Sequence, residues 1–584
     1  MSAKISKRLR QQRRSRKKEL RQQHQLAPAD QHIPADHPLP RHRDADPAEP
    51  PTVMQRSVRT SAAGTGRAAR LVAVLAGCCL IGAAGGSAAF HITDTDTTDP
   101  LRVPANYVVA PPVAERLVCP PTPGTPDSVS ESGTMEYAAR DDSAEASRSA
   151  LLFDSAWGAT PSAEWGTITQ EGRGEQDRFQ EDTAPQGGTS SRLLADRQPT
   201  LAESEDTELP TVLEVQPLEG VAVDDAPAAA AGFSYLGQEG PQSGLIASSC
   251  ANPQPSRWFL GPETGSGSTS LLTLTNPNSR DATVTVTTYS PEGGTGSLGT
   301  TTLLVPADSV RTMNMAAFVE GSAALAVHVQ ASGAPVASHL QSSHASGSDG
   351  LGTEMLPGLA EPRTEHHMLA APAADEELPQ LWLHTPGEEG GTVELQVFDS
   401  EGQVAIETPG VFTVEDEAVT VVDIEGLESG TYEVVVRTEA PSLAAVRSTD
   451  DGQQNDDAQD LSWAAGAEPV QPGFGALLHP RAETELRLFG DGELTYRLLD
   501  SSGATGDDVT VEVEAERSTV VSHDQLQDHA EAAGLDDIHS LVVTEAAGET
   551  RGGMITRDQD GRFSVGVLET ISPTAQYVPL RFQR

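Results

Sequence analysis

From about residue 255 onward the chain alternates apolar and polar side chains over short runs, the period of two that marks half-buried strands. The first clear case is Ala282–Tyr289 (ATVTVTTY). Thr392–Phe398, Tyr432–Arg437, Glu485–Phe489 and Val509–Val513 repeat it. Turn-forming clusters separate the runs: Asn276-Pro277-Asn278, Ser290-Pro291-Glu292-Gly293, Asp399-Ser400-Glu401-Gly402 and Asp500-Ser501-Ser502-Gly503. One segment, Gln525–Gly534, reads as a helix instead.

The strands recur in a fixed order. Each unit opens on an alternating strand (Ser270–Thr275, Gln380–His384, Glu485–Phe489). Each continues to a strand whose turn closes at a glycine: Gly293, Gly402 and Gly503, roughly 100 residues apart. A third element follows (Val305–Met313, Val414–Val422, Val513–Val521), and then a hairpin-like pair starting at Leu325, Tyr432 and Ser540. Units of this length built of short strands predict tandem β-sandwiches. They lack an internal Cys–Trp–Cys set, so the Ig-like label describes architecture only.

One other stretch breaks the pattern. Leu71–Phe90 (LVAVLAGCCLIGAAGGSAAF) carries no charge and is long enough to span a bilayer as a helix. Arg67 and Arg70 flank its N-terminal side, which the positive-inside rule places in the cytoplasm. Two rival readings remain: a cleaved signal ending in the small residues 85–89, and a lipoprotein signal at Leu75-Ala76-Gly77-Cys78. Against them stand the long preceding segment and the apolar residues that continue past Cys78.

Charge divides at the same place. Residues 1–70 hold 16 Lys/Arg against 6 Asp/Glu, whereas residues 71–584 hold 23 Arg, no Lys and 79 Asp/Glu. The basic tail is too poor in apolar residues to fold, and it reads as an orientation signal. The acidic outer part argues against nucleic acid as its partner.

Only Cys119 and Cys250 lie beyond the apolar run. In an oxidising compartment they predict one disulfide, with two free thiols as the alternative. Between them, residues 120–235 read as an acidic low-complexity insert, mostly disordered over 120–208. The patch Leu151-Leu152-Phe153 with Trp157 and Trp165 is an exception, either folded onto a neighbouring domain or a docking motif.

Catalytic and metal motifs are sparse. No Walker loop, dinucleotide fingerprint or zinc-type spacing occurs beyond the apolar run. His366-His367 reads as part of a linker. Gln341-Ser342-Ser343-His344 lacks a nucleophile elbow. Asp450, Asp451, Asp456, Asp457 and Asp460 depart from calcium-loop spacing and read as a solvated loop. Trp258 and Trp382 could stack on sugar rings if exposed, or serve as core residues if buried.

The stretch around Cys250 carries a resemblance: Cys250-x-x-Pro253, then Trp258-Phe259-x-Gly261, a strand ending in Asn276-Pro277, and an alternating strand. This is similar to the actinobacterial envelope family DUF5719, and Cys119-Pro120 resembles that family's upstream Cys-Pro. The resemblance covers roughly 100–119 and 240–584. It implies a single-span or secreted envelope protein without an established activity.

The expectation is therefore an all-β protein of tandem Ig-like β-sandwich units following one transmembrane helix. Its parts are a disordered cytoplasmic tail (1–70), the helix (71–90), an extended segment joining the first β unit (91–119), the acidic insert (120–235), and units at 236–365, 366–465 and 466–584. The expected role is non-enzymatic binding or scaffolding outside a membrane crossed once, with no cofactor or metal. Candidate partners are envelope glycan and another membrane protein. The alternatives are a cell-wall glycan-binding module and a hydrolase whose site is assembled from separate loops.

Overall fold

The computed structural model describes residues 107–579 apart from 110–113, 125–140, 185–191, 205–207, 219–224, 294–298, 375–376, 388–389, 451–457 and 574–576. The basic tail and the run Leu71–Phe90 lie outside the described residues. Among the described residues, no helix is long and apolar enough to cross a membrane.

The described chain is all-β, with one α-helix among the described residues. It is built from one pattern used four times. In the first unit eight strands follow in order: Glu115–Cys119, Glu145–Phe153, Ala163–Ile168, Arg173–Gln180, Pro199–Ser204, Thr211–Val215, Ala228–Gly237 and Gly244–Ser249. They form two antiparallel sheets. One runs first–sixth–third–fourth, the other fifth–second–seventh–eighth. The same order recurs from Ser256–Leu260 to Asp349–Leu356, from Arg363–Ala373 to Asp460–Ala465, and from Phe474–Leu477 to Phe563–Val567. In the third unit a single 21-residue strand, Gly430–Asp450, serves as both sixth and seventh and passes from one sheet to the other.

Alternation decides which side chains meet inside. In Ala282–Tyr289 the residues Ala282, Val284 and Val286 are buried, while Thr283, Thr285 and Thr287 face outward. Opposite them, Leu272 and Leu274 of the partner sheet enter the same core. Burying each Val or Leu contributes about 2 kcal/mol relative to exposure. The helix α1 (His523–Ala533) starts at Ser522, whose side chain accepts the N–H of Gln525 while Gln525 returns the bond, and it ends at Gly534 with φ +74°. It is inserted between the fifth and sixth strands of the fourth unit.

The four units close on one another. Val118 and Val212 of the first pack with Val310 and Ala337 of the second. The second and third share Trp258, Trp382 and Trp463 in one core. Leu369 and Val435 of the third meet Phe489 of the fourth. Leu151 and Phe153 of the first meet Leu499 and Val542 of the fourth. After its last strand the chain returns to the first unit, pairing Ser572–Pro573 with Ala228–Ala229 and Tyr577–Pro579 with Tyr107–Val109.

Two sequence expectations are corrected here. Over 120–208, expected to be mostly disordered, the described residues form strands two to five of the first unit, and the rest of the 120–235 insert adds strand six and most of strand seven. Alanine fills several of its inward positions (Ala150, Ala163, Ala229 and Ala231, beside Leu152, Trp165, Leu213 and Phe233), which weakens the Val/Leu alternation seen in the later strands. Many of its acidic side chains fall on outward positions, as in Arg173–Gln180, whereas Asp154 and Glu214 are buried. Secondly, His366 and His367 lie in a strand, the first of the third unit, and both are buried.

Candidate functional site: a central cavity

The eighth strand of each unit lies at the middle of the circuit. These are β1 (Gly244–Ser249), β2 (Asp349–Leu356), β3 (Asp460–Ala465) and β4 (Phe563–Val567), and each borders the two from neighbouring units. Their backbones approach so closely that side chains are excluded at two points. A Cβ on Gly352, whose φ is +124°, would lie 2.5 Å from the Leu461 nitrogen. One on Gly244 would lie 2.7 Å from the Thr353 nitrogen.

Two buried carboxylates tie the four strands together. Asp460 Oδ2 accepts the N–H of Leu245 (3.1 Å) and of Phe563 (3.0 Å), and Oδ1 accepts that of Leu461 (2.9 Å). Glu354 Oε2 accepts the hydroxyls of Ser462 (2.8 Å) and Ser564 (3.2 Å). Those hydroxyls in turn accept the N–H of Val565 and of Ala247. Burial pushes the Asp460 carboxyl up to about 8, against the pull of its three N–H donors and Arg562. The Glu354 carboxyl rises well above its ordinary value through burial, opposed by its hydroxyl donors and raised further by Asp460. Asp460 is thus no part of a solvated acidic loop. Residues 451–457 of that cluster lie outside the described residues.

At the C-terminal ends of these strands lies a cavity of about 480 Å³ lined by residues of all four units. Much of its wall is small and apolar, including Ala230, Ala231, Leu443, Ala465 and Leu477. Arg363, Glu365 and Glu468 also border it, with Arg363 and Glu468 ion-paired and Glu365 and Glu468 exposed. Three further polar residues line it: half-buried Arg257, exposed Glu569 and buried His339. Arg257, in the first strand of the second unit, donates from Nη1 to the Gly358 carbonyl at 3.2 Å. Glu569 follows β4 in the short pairing with Phe474–Gly475. Its residue is exposed, on the side of the cavity that it lines. Burial raises its carboxyl, while the Ser249 hydroxyl and the Arg257 charge draw it down. Burial first, and then Arg257, lowers His339 to about 3, so that imidazole is neutral at ordinary pH.

The profile of a family of unknown function, DUF5719, matches residues 202–524, more than half of the chain. The chain belongs to this family. The DUF5719 match starts within the fifth strand of the first unit and stops at the start of α1, so it contains the second and third units whole and only parts of the first and fourth. It leaves out 100–119, begins before residue 240 and ends before residue 584, the bounds over which the resemblance was expected. Among curated proteins, none matches the chain.

Cys119 and Cys250 are joined, 131 residues apart. Cys119 ends the first strand of the first unit and Cys250 follows its eighth, so the bond clamps the two ends of the whole unit. Trp258 and Trp382 are only 5% and 2% exposed, which withdraws them as platforms for a sugar. Trp258 stacks instead on His328, with centroids 3.7 Å apart, and Trp382 meets the edge of Trp463 at 5.0 Å. Ser342 and His344 do come together, at 3.5 Å, and both are buried. His366 borders the cavity, while His367 turns to the other face, against Glu365 and Phe489. Sequence reasoning missed Arg257, Glu354 and Glu569, which carry no motif and meet only through the closure of the four units.

Proposed function

We propose that this is a membrane-anchored, extracytoplasmic envelope protein that binds a partner rather than transforming a substrate. In this reading the basic tail is cytoplasmic, Leu71–Phe90 spans the membrane, and each pair of sheets is an Ig-like β-sandwich. The observation that carries the binding role is that all four units contribute to a single polar cavity with apolar walls, a common form of ligand site. The Cys119–Cys250 bond agrees with an oxidising compartment. Ser249 neighbours a carboxylate rather than a histidine base, an arrangement suited to holding a polar group.

The test is a pull-down with the full-length protein in detergent as bait, against isolated cell-wall polymer and solubilised membrane. Retention of a defined component is the expected result. Retention of neither, together with turnover of ester, amide or glycoside substrates, would replace binding with hydrolysis. Reporter fusions at the two ends test the topology, with an externally active reporter expected only after residue 584.

A further inference from the structure

We propose that the central cavity binds a small zwitterion of the amino-acid or short-peptide class, its carboxylate held by Arg257 and its ammonium group by Glu569. This rests on the binding role argued above and names the ligand.

Both side chains line the same cavity, and among the described residues no ion pair or hydrogen bond joins them; they interact through charge alone. Each lies in the other's field. Opposite charges held apart on one cavity wall can each take a counter-charge from a ligand. A ligand bearing both signs satisfies the two at once, whereas a simple anion would be repelled by Glu569 and a simple cation by Arg257.

The guanidinium is held ready. Its Nη1 bond to the Gly358 carbonyl orients it and leaves other N–H groups for a carboxylate, which the planar fork matches in two parallel bonds. Glycine at 358 is required for this, because a Cβ there would lie 2.4 Å from Arg257 Cδ. His339 is neutral beside it and adds no competing charge. The cavity volume of about 480 Å³ falls in the range of small-molecule sites, roughly 300–1,000 Å³, and is too small for a folded partner. The alanine and leucine walls suit a modest apolar side chain.

The experiment is calorimetric titration of the full-length protein with L-alanyl-L-alanine and L-alanine, and with their N-acetylated and C-amidated forms. Saturable binding of an uncapped ligand is expected, weakened about tenfold or more by capping either end. Arg257→Gln and Glu569→Gln should each weaken it by a similar factor without a change in Tm, and Glu569→Gln should erase the discrimination against the N-acetylated form. The capped series on the unaltered protein tests the site even if a variant misfolds. Absence of binding by every uncapped ligand, equal binding of capped forms, or binding that survives both substitutions would overturn the proposal. A retained envelope partner alongside such a result would remove this ligand class and leave the binding role standing.

Discussion

Asp460 accepts the backbone N–H of Leu245 at 3.1 Å, across 215 residues of chain. The bond joins the last strand of the first unit to the last strand of the third. With the bond from Phe563, it makes one side chain the junction of three units.

Asp460→Ala removes the acceptor of three buried N–H groups. A loss of about 2–4 kcal/mol is expected, read from chemical denaturation. Asp460→Asn keeps at most part of this, since an amide supplies a single acceptor oxygen.

Gly352→Ala places a methyl group against the Leu461 nitrogen at a backbone angle that side chains avoid. It should destabilise by about 2 kcal/mol or more. Gly265→Ala, where nothing lies within 4 Å, should stay within about 0.5 kcal/mol. Equal effects in thermal unfolding would contradict the tight crossing at the centre.

Glu433 is fully buried, and neither carboxylate oxygen has a hydrogen-bond partner. Burial raises its pKa to about 9, against the pull of Arg487. Its unfolded value is about 4.3, so between the two the folded state binds a proton that the unfolded state has lost. Stability from this group is therefore complete below about pH 4 and declines as pH rises toward 9, by at most about 1.4 kcal/mol per unit. Glu433→Gln should flatten that slope. A Tm–pH profile parallel to that of the unaltered protein would refute this.

Cys119→Ser with Cys250→Ser opens the loop that clamps the first unit. On the chain-entropy account the loss is about 4–5 kcal/mol. Denaturation of the reduced protein should show the same loss.

Trp382→Ala leaves a hole beside Trp463 where the second and third units meet, and should cost about 3–5 kcal/mol. Affinity for any bound envelope component should follow the loss of folded protein, with no separate effect at saturation.

The strands of the second to fourth units were legible because alternation depends only on neighbouring residues. Ala282–Tyr289 and Val509–Val513 have the same bounds in the structure as in the pattern. The helix was legible from its own residues, since Ser522, Gln525 and Gly534 supply both its ends. The disulfide was legible from there being only two cysteines beyond the apolar run, and the family from the residues around Cys250. The first unit escaped notice because alanine at its inward positions makes alternation faint.

Whether a tryptophan on a strand is a platform or a core residue depends on what the opposite sheet presents, and only packing buried Trp258 and Trp382. The junction of Glu354 and Asp460, and the facing of Arg257 and Glu569, joins residues more than a hundred positions apart. No local pattern encodes such a meeting: it exists because the four units close into a circuit and bring their last strands together at its centre.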